Sequence, residues 1–412
     1  MKRFFEKIYN IYWGLPKLTK TILPIIIIEH LVIAFCLNIS AFFKKVYHMH
    51  FDSIGQFISL FYAGCFVGAL VGGLLTTKFR TTKISGIGLI LMSIAFMSLF
   101  YSINTWVLSV SMFSLGALGA MSTTSNTASL VRSVKDNENL KLKVISLELI
   151  LFNLSFSLVS FILLDLNPEQ IYFFVKALSL LLLMTGCWAI YYCRDKVFYP
   201  VISRHSNQAT SALFLPEKKK EFVILMSMIL CVGLIFSMVK VVFTPTLIER
   251  FGSNYIAATA ASINPLVLFF LQPLIIDSIK KKNSSWFLGV GGFLIGLGYF
   301  LFGMVDSFSM TVVVLTLLTV GEMMFSPLSK HFNIQLYKKG QEGVASGVWR
   351  AVFLGSGIIG PEISGYLAES QNAFWVWFLC VILGLICLFL SVLLCKVKDK
   401  GIMSKVALIK YR

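Results

Sequence analysis

Eight ionisable side chains stand inside apolar stretches of this chain: Glu29, His30, Glu148, Lys176, Lys240, Glu322, Arg350 and Glu362. A charged group near the centre of a bilayer costs at least ~2.5 to 3.5 kcal/mol even on insertion scales, so those that persist are as a rule paired or functional. A carboxyl in such surroundings can carry a proton. Burial disfavours its ionised form and a nearby cation restores it, so a glutamate whose cationic neighbour changes can load a proton in one state and release it in another. Glu29, Glu322 and Glu362 are the candidates for that role, against the alternative that Glu29 or Glu322 forms a permanent ion pair with Arg350. Lys240 and Arg350 are fixed positive charges in apolar, aromatic surroundings and favour a solute with a carboxylate, which a guanidinium can hold through two hydrogen bonds. Asn38 offers a further hydrogen bond to a solute. His30 adjoins Glu29 but points about 100° away from it on a helix, either packing or touching the solute. Lys176 lies close to the edge of its block and reads as a side chain reaching for the interface.

The elements that must position these groups are membrane helices. Hydrophobic residues make up 57% of the chain and charged residues 13%, with a mean hydropathy of +0.82, whereas soluble domains carry about a quarter charged residues. A hydrocarbon core of about 30 Å needs roughly 20 apolar residues per span. That ruler predicts twelve spans: 21–43, 54–75, 84–102, 106–131, 144–164, 170–193, 222–246, 254–276, 285–304, 308–329, 343–367 and 372–395. The expected class is an all-α integral membrane protein in two six-helix bundles. A basic amphipathic tail over 1–20 precedes the first bundle (21–193). A polar central loop over 194–221 separates it from the second (222–395), and a basic tail follows over 396–412.

Nearly every Lys and Arg outside the spans falls on one side of this arrangement. The opposite loops hold only Lys44, Lys45 and Arg250. Cytoplasmic loops are the ones enriched in these residues, so both termini are expected in the cytoplasm and the protein in the cytoplasmic membrane. Charges dispersed over every inner loop also argue against nucleic acid as a partner, which needs a clustered basic face. The expected partners are the lipid bilayer, protons and a small-molecule substrate, with the chain a monomer. The eight cysteines show no clustered spacing of a disulfide or zinc framework. His48-Met-His50-Phe-Asp52 has metal-binding residue types but Lys44 and Lys45 beside it, so neither a metal site nor a cofactor is expected. No nucleophile elbow, zinc-protease or phosphate-loop motif is present, and no enzyme activity is expected.

The two halves repeat weakly. The loop after the second span reads Gly73-Leu-Leu-Thr-Thr77-Lys78-Phe-Arg80-Thr-Thr-Lys83, and two hundred residues on stands Pro273-Leu-Ile-Ile-Asp277-Ser-Ile-Lys280-Lys-Lys282. Parallel six-helix repeats are a transporter architecture. With twelve spans in two sixes and this basic inner loop, the whole chain resembles the major facilitator superfamily. The loop departs from the family's pattern: its acidic position is Thr77 and its second glycine position is Arg80, while Asp277 restores the acid in the second half. The eleventh span carries Gly357-Ile-Ile-Gly360-Pro361-Glu362-Ile-Ser-Gly365, similar to a glycine-proline pattern that family antiporters carry in the fifth, whereas the fifth span here has neither residue. Gly321-Glu322-Met-Met-Phe-Ser326-Pro327 is similar to a run in proton-coupled oligopeptide transporters, but of their first-helix signature only Glu29 is present.

The resemblance implies alternating access about a midplane site. It places Glu29, Lys240 and Glu322 at a central cavity and Glu148, Arg350 and Glu362 at the seam between bundles. It makes Gly73, Lys78, Arg80 and Asp277, together with Glu148, candidates for gating contacts between the bundles. The expected function is proton-coupled secondary transport of a small anionic or zwitterionic organic solute, with export of a metabolite, siderophore or drug favoured. The alternatives are uptake of a peptide or carboxylate nutrient, or a non-transporting sensor, scaffold or lipid flippase on the same fold.

Overall fold

The computed structural model describes residues 15–39, 43, 47, 49, 51–101, 104–134, 137–165, 168–199, 216, 218–252, 259, 263–268, 270–272, 274–275, 284–370 and 374–410. Their regular structure is helical throughout. In chain order the elements are α1 (Lys17–Leu37), α2 (Phe51–Lys78), α3 (Thr81–Tyr101), α4 (Thr105–Ser133), α5 (Glu138–Asp165), α6 (Pro168–Tyr191), a short 3-10 turn η1 (Lys196–Phe198) and α7 (Lys219–Phe251). There follow the short apolar helix α8 (Ile263–Gln272), α9 (Ser284–Met304), α10 (Phe308–Gln335), α11 (Glu342–Ser370) and α12 (Phe374–Lys410). Eleven of these helices are long and apolar enough to cross a membrane. The expected all-helical membrane class is the one observed.

Two of the long helices start at a side-chain cap. Asn104 accepts the Trp106 N–H at 2.9 Å to open α4, and Ser307 accepts that of Met310 at 3.3 Å to open α10. Pro24, Pro327 and Pro361 lie inside α1, α10 and α11, a placement that membrane helices tolerate because neighbouring groups satisfy the freed carbonyls.

Packing divides the chain into two compact units. One comprises Met1–Phe214 with Lys339–Ile358, the other Leu215–Lys338 with Ile359–Arg412. In the first unit α4 is the axis: α2, α3, α1 and α5 all pack against it, and so does η1. The α2–α4 contact is made by backbone on backbone. A Cβ on Gly64, Gly68 or Gly116 would strike the carbonyl oxygen of Phe113, Ala117 or Phe61. Small residues four apart allow this approach where lipid offers no hydrophobic drive to association. Beside it Phe35 is surrounded by the rings of Phe96, Phe100 and Phe174 at 5.1 to 6.4 Å.

In the second unit α9 packs against α10 and α12, and α7 against α12. Gly291 and Gly321 bring α9 and α10 into backbone contact. Phe302 forms the aromatic centre with Phe243 and Trp377. Arg250, at the end of α7, lies over the Phe302 ring and donates to the Phe302 carbonyl at 2.9 Å.

Candidate functional site

The polar interior of the first unit is written on one stretch of α4, Ser122–Ser133, whose twelve side chains are all buried. Isolated hydroxyls of this kind usually bond their own helix at i−4. Here they also reach across to the buried acids. Glu29 on α1 is 0% exposed. Its Oε1 lies 2.5 Å from the Thr123 hydroxyl, and its Oε2 accepts a short hydrogen bond from the Asn126 amide. The Thr123 hydroxyl is also 2.8 Å from the Gly119 carbonyl. One turn further along the same face, the Thr127 hydroxyl lies 2.8 Å from Glu148 Oε1 on α5 and 2.9 Å from the Thr123 carbonyl. Arg350 on α11 donates its Nη2 to the same Glu148 oxygen at 3.2 Å. Two carboxyls, two hydroxyls, an amide and one guanidinium from four helices thus form a continuous buried chain.

The charges in that chain are unequal. Glu148 has Arg350; Glu29 receives only neutral donors within hydrogen-bonding distance. The Arg350 Nε is buried without a partner. His30, 1% exposed, turns away from Glu29 and meets Phe152 edge-on at 5.5 Å. Asn38 closes α1, donating its amide to the Ala34 carbonyl at 2.9 Å.

A second polar cluster lies at the α4 end that follows the hydroxyl-rich run. Arg132 forms an ion pair with Glu342 at 3.3 Å, both side chains largely buried. Its guanidinium also donates to the carbonyls of Gly340 at 3.2 Å, Thr76 at 3.4 Å and Tyr199 at 3.5 Å. Glu342 stands in the first turn of α11, where a negative charge suits the helix dipole, and accepts the Gly340 N–H at 2.9 Å. Gly340 has φ +94°, a conformation that only glycine adopts without strain. Gly73 approaches Val344, and a Cβ on Gly343 or Gly347 would strike Thr76 or the Ala69 carbonyl, so the end of α2 and the start of α11 are in near-backbone contact.

The remaining candidates are dispersed. Arg80 is buried and donates to the Ile190 carbonyl at 2.5 Å, inside the first unit. Lys78 is exposed beside it, as are Lys176, Lys240 and Glu362 on their helices. In the second unit Glu322 is buried and accepts the Asn264 amide at 2.9 Å. Asp277, His48 and His50 lie outside the described residues. Among the described residues no three His, Cys, Asp or Glu converge as metal ligands. The structure therefore brings Glu29, Glu148 and Arg350 into one network and Gly73 into the α2–α11 contact. Thr123, Asn126, Thr127, Arg132 and Glu342, which complete these clusters, were not anticipated. The run Ser122-Thr-Thr-Ser-Asn-Thr127 inside an apolar block was the available signal.

Helices that can span a bilayer, with buried acids joined across four of them, define a polytopic membrane protein with a polar interior. Residues 22–349 match the model of the Major Facilitator Superfamily, and the chain belongs to that family. No curated protein matches it in sequence. Its fold is similar to that of the human organic anion transporter MFSD10 (TETRAN), with TM-score 0.72 and 13% identity over 94% of this chain and 99% of that one. The Escherichia coli fucose:proton symporter FucP aligns with TM-score 0.66 and 14% identity over 91% and 98%. A bacterial homologue of the iron transporter ferroportin, in an outward-facing state, aligns with TM-score 0.71 and 14% identity over 92% and 100%.

Proposed function

We propose that this protein is a proton-coupled secondary active transporter of the cytoplasmic membrane that moves a small organic solute by alternating access, with Glu29 as the proton carrier. The observation that carries this reading is the setting of the Glu29 carboxyl, which is fully buried and met within hydrogen-bonding distance by the Thr123 hydroxyl and the Asn126 amide, both neutral. A carboxyl so placed can hold a proton in one state and release it when its surroundings change.

Each chain residue then has a part. Asn126 orients the carboxyl, and Thr127 holds Glu148 beside Arg350, keeping that guanidinium on the neighbouring acid. Departure of the proton leaves two carboxylates sharing one guanidinium, an imbalance that a low-dielectric interior penalises heavily and that a change of conformation or a bound solute can relieve. Two acids beside one guanidinium with an open Nε fit a zwitterion, its carboxylate on Arg350 and its ammonium towards the acids. That narrows the expected anionic or zwitterionic class to the latter. Each proton entering under a membrane potential contributes about 2.3 kcal/mol per 100 mV. Export is the direction favoured, since no sugar- or peptide-carrier signature is intact.

The test is internal pH in proteoliposomes holding the purified protein, across a panel of amino acids, carboxylates, siderophores and cationic drugs. Solute-dependent proton movement that vanishes in Glu29→Gln supports the reading, and its sign separates antiport from symport. Solute flux with proton movement unchanged in that variant removes Glu29 from the role.

A further inference from the structure

After α6 the chain makes the turn η1 at the start of the polar central loop, and that turn is pinned from several sides. The Asp195 carboxylate caps η1 by accepting the Val197 N–H at 2.9 Å. Phe198 is 1% exposed and belongs to the core of the first unit, and η1 packs directly on α4. Residues opening α3 hold the backbone on either side. Thr82 donates to the Cys193 carbonyl at 2.7 Å and Thr81 to that of Phe198 at 3.3 Å. The Arg80 guanidinium lies over the Tyr199 ring, 5.7 Å from its centroid, while its other end grips the α6 carbonyl of Ile190. The Thr81 hydroxyl itself accepts from Ser129 of α4 at 2.6 Å, so the docking site and the end of α4 are one hydrogen-bonded body.

The last residue of this turn reaches the ion pair. The Tyr199 carbonyl faces Arg132 Nη1, the Thr76 and Gly340 carbonyls face Nη2, and Nε is left for Glu342. An arginine side chain is rich in rotamers, and these carbonyls restrict it before it meets Glu342. The family's loop acid is absent at Thr77, so at this end of the first unit α11 is tied to α4 by the Arg132–Glu342 pair.

We infer that residues 194–199 form a strap whose docking on α3 and α4 sets how firmly Arg132 holds Glu342, making this strap a regulator of the α4–α11 contact. With the strap in place the pair is ordered and screened from water. With the strap lifted, the guanidinium gains water and rotamers, and the pair falls towards the small value of an exposed one. Coupling of this kind is reciprocal, so weakening the pair loosens the strap by the same factor. The contact itself is a fact of the fold; only its role in opening a transport path rests on the proposed function.

Amide hydrogen exchange on the full-length protein in detergent tests this without a solute. The reporters are residues 340–347, where the Ala345 N–H bonds the Gln341 carbonyl, and residues 196–199, where those of Phe198 and Tyr199 bond the Asp195 and Lys196 carbonyls. Phe198→Ala is expected to speed exchange over 340–347 by about fivefold or more, the lower end of usual couplings. Glu342→Gln is expected to speed exchange over 196–199 reciprocally, and Phe198→Ala is expected to add nothing over 340–347 in an Arg132→Gln background. Arg80→Gln, which loosens the strap while keeping the buried ring, serves if Phe198→Ala fails to fold. Faster exchange over 196–199 alone, with 340–347 at the wild-type rate, overturns the strap and leaves the transport reading untouched. Loss of proton coupling in Glu29→Gln with an intact exchange pattern bears on transport and not on the strap.

Discussion

Arg350 and Glu148 meet at 3.2 Å across α11 and α5, with both side chains largely buried and the Thr127 hydroxyl on the same carboxylate oxygen. Removing one member of a buried pair strands the other charge, at a cost of about 3 to 5 kcal/mol. Glu148→Gln should therefore lower thermal stability in detergent clearly. The double variant Glu148→Leu/Arg350→Met, which strands nothing, should be closer to wild type than either single change. Equal loss in the single and double variants would show that the pair stabilises through packing instead.

The Glu29 carboxyl is fully buried and held by Thr123 and Asn126. Glu29→Gln keeps the size and one oxygen of the side chain but carries no exchangeable charge. Counterflow of solute across equilibrated vesicles should persist while accumulation driven by a proton gradient disappears. Asn126→Ala, which frees the carboxyl to turn, should weaken both, and a rate measurement in the same vesicles distinguishes the two patterns.

Glu322 and Glu362 were expected to share this role, yet the structure gives them different surroundings. Glu322 is buried against the Asn264 amide while Glu362 is exposed. Glu362→Gln should change stability less than the matching change at Glu322, because its side chain is exposed. Glu322→Gln should change stability measurably, because its carboxylate is a hydrogen-bond acceptor inside the second unit. Matched thermal melts read the contrast.

Gly68 of α2 lies so close to Ala117 of α4 that any Cβ overlaps its carbonyl. Over-packing of a tight site costs about 1 to 3 kcal/mol or more, and here the obstacle is backbone, which cannot rotate away. Gly68→Val should abolish a monodisperse elution profile. Gly365→Ala, where nothing lies within 4 Å, should elute as wild type.

Composition and block length were enough to determine that this chain crosses a membrane many times, because a hydrocarbon solvent dictates roughly how many apolar residues each span needs. They also singled out Glu29, Glu148 and Arg350, since a charge inside such a block is conspicuous by its cost. Their grouping was beyond reach of the chain order: these residues are separated by more than a hundred positions at each step, and only helix packing decides that Thr123, Asn126 and Thr127 face Glu29 and Glu148 while the Ser122 hydroxyl faces Ser85. Lys240 and Arg350 look alike as cations in apolar runs, yet one side chain is exposed and the other is largely buried against Glu148. In sequence Arg132 is one more of the Lys and Arg residues gathered on the inner side of the spans, with nothing to single it out. Its partners arrive from α2, the strap and the turn before α11, and it is the close approach permitted by Gly73, Gly343 and Gly347 that brings them within reach of one guanidinium.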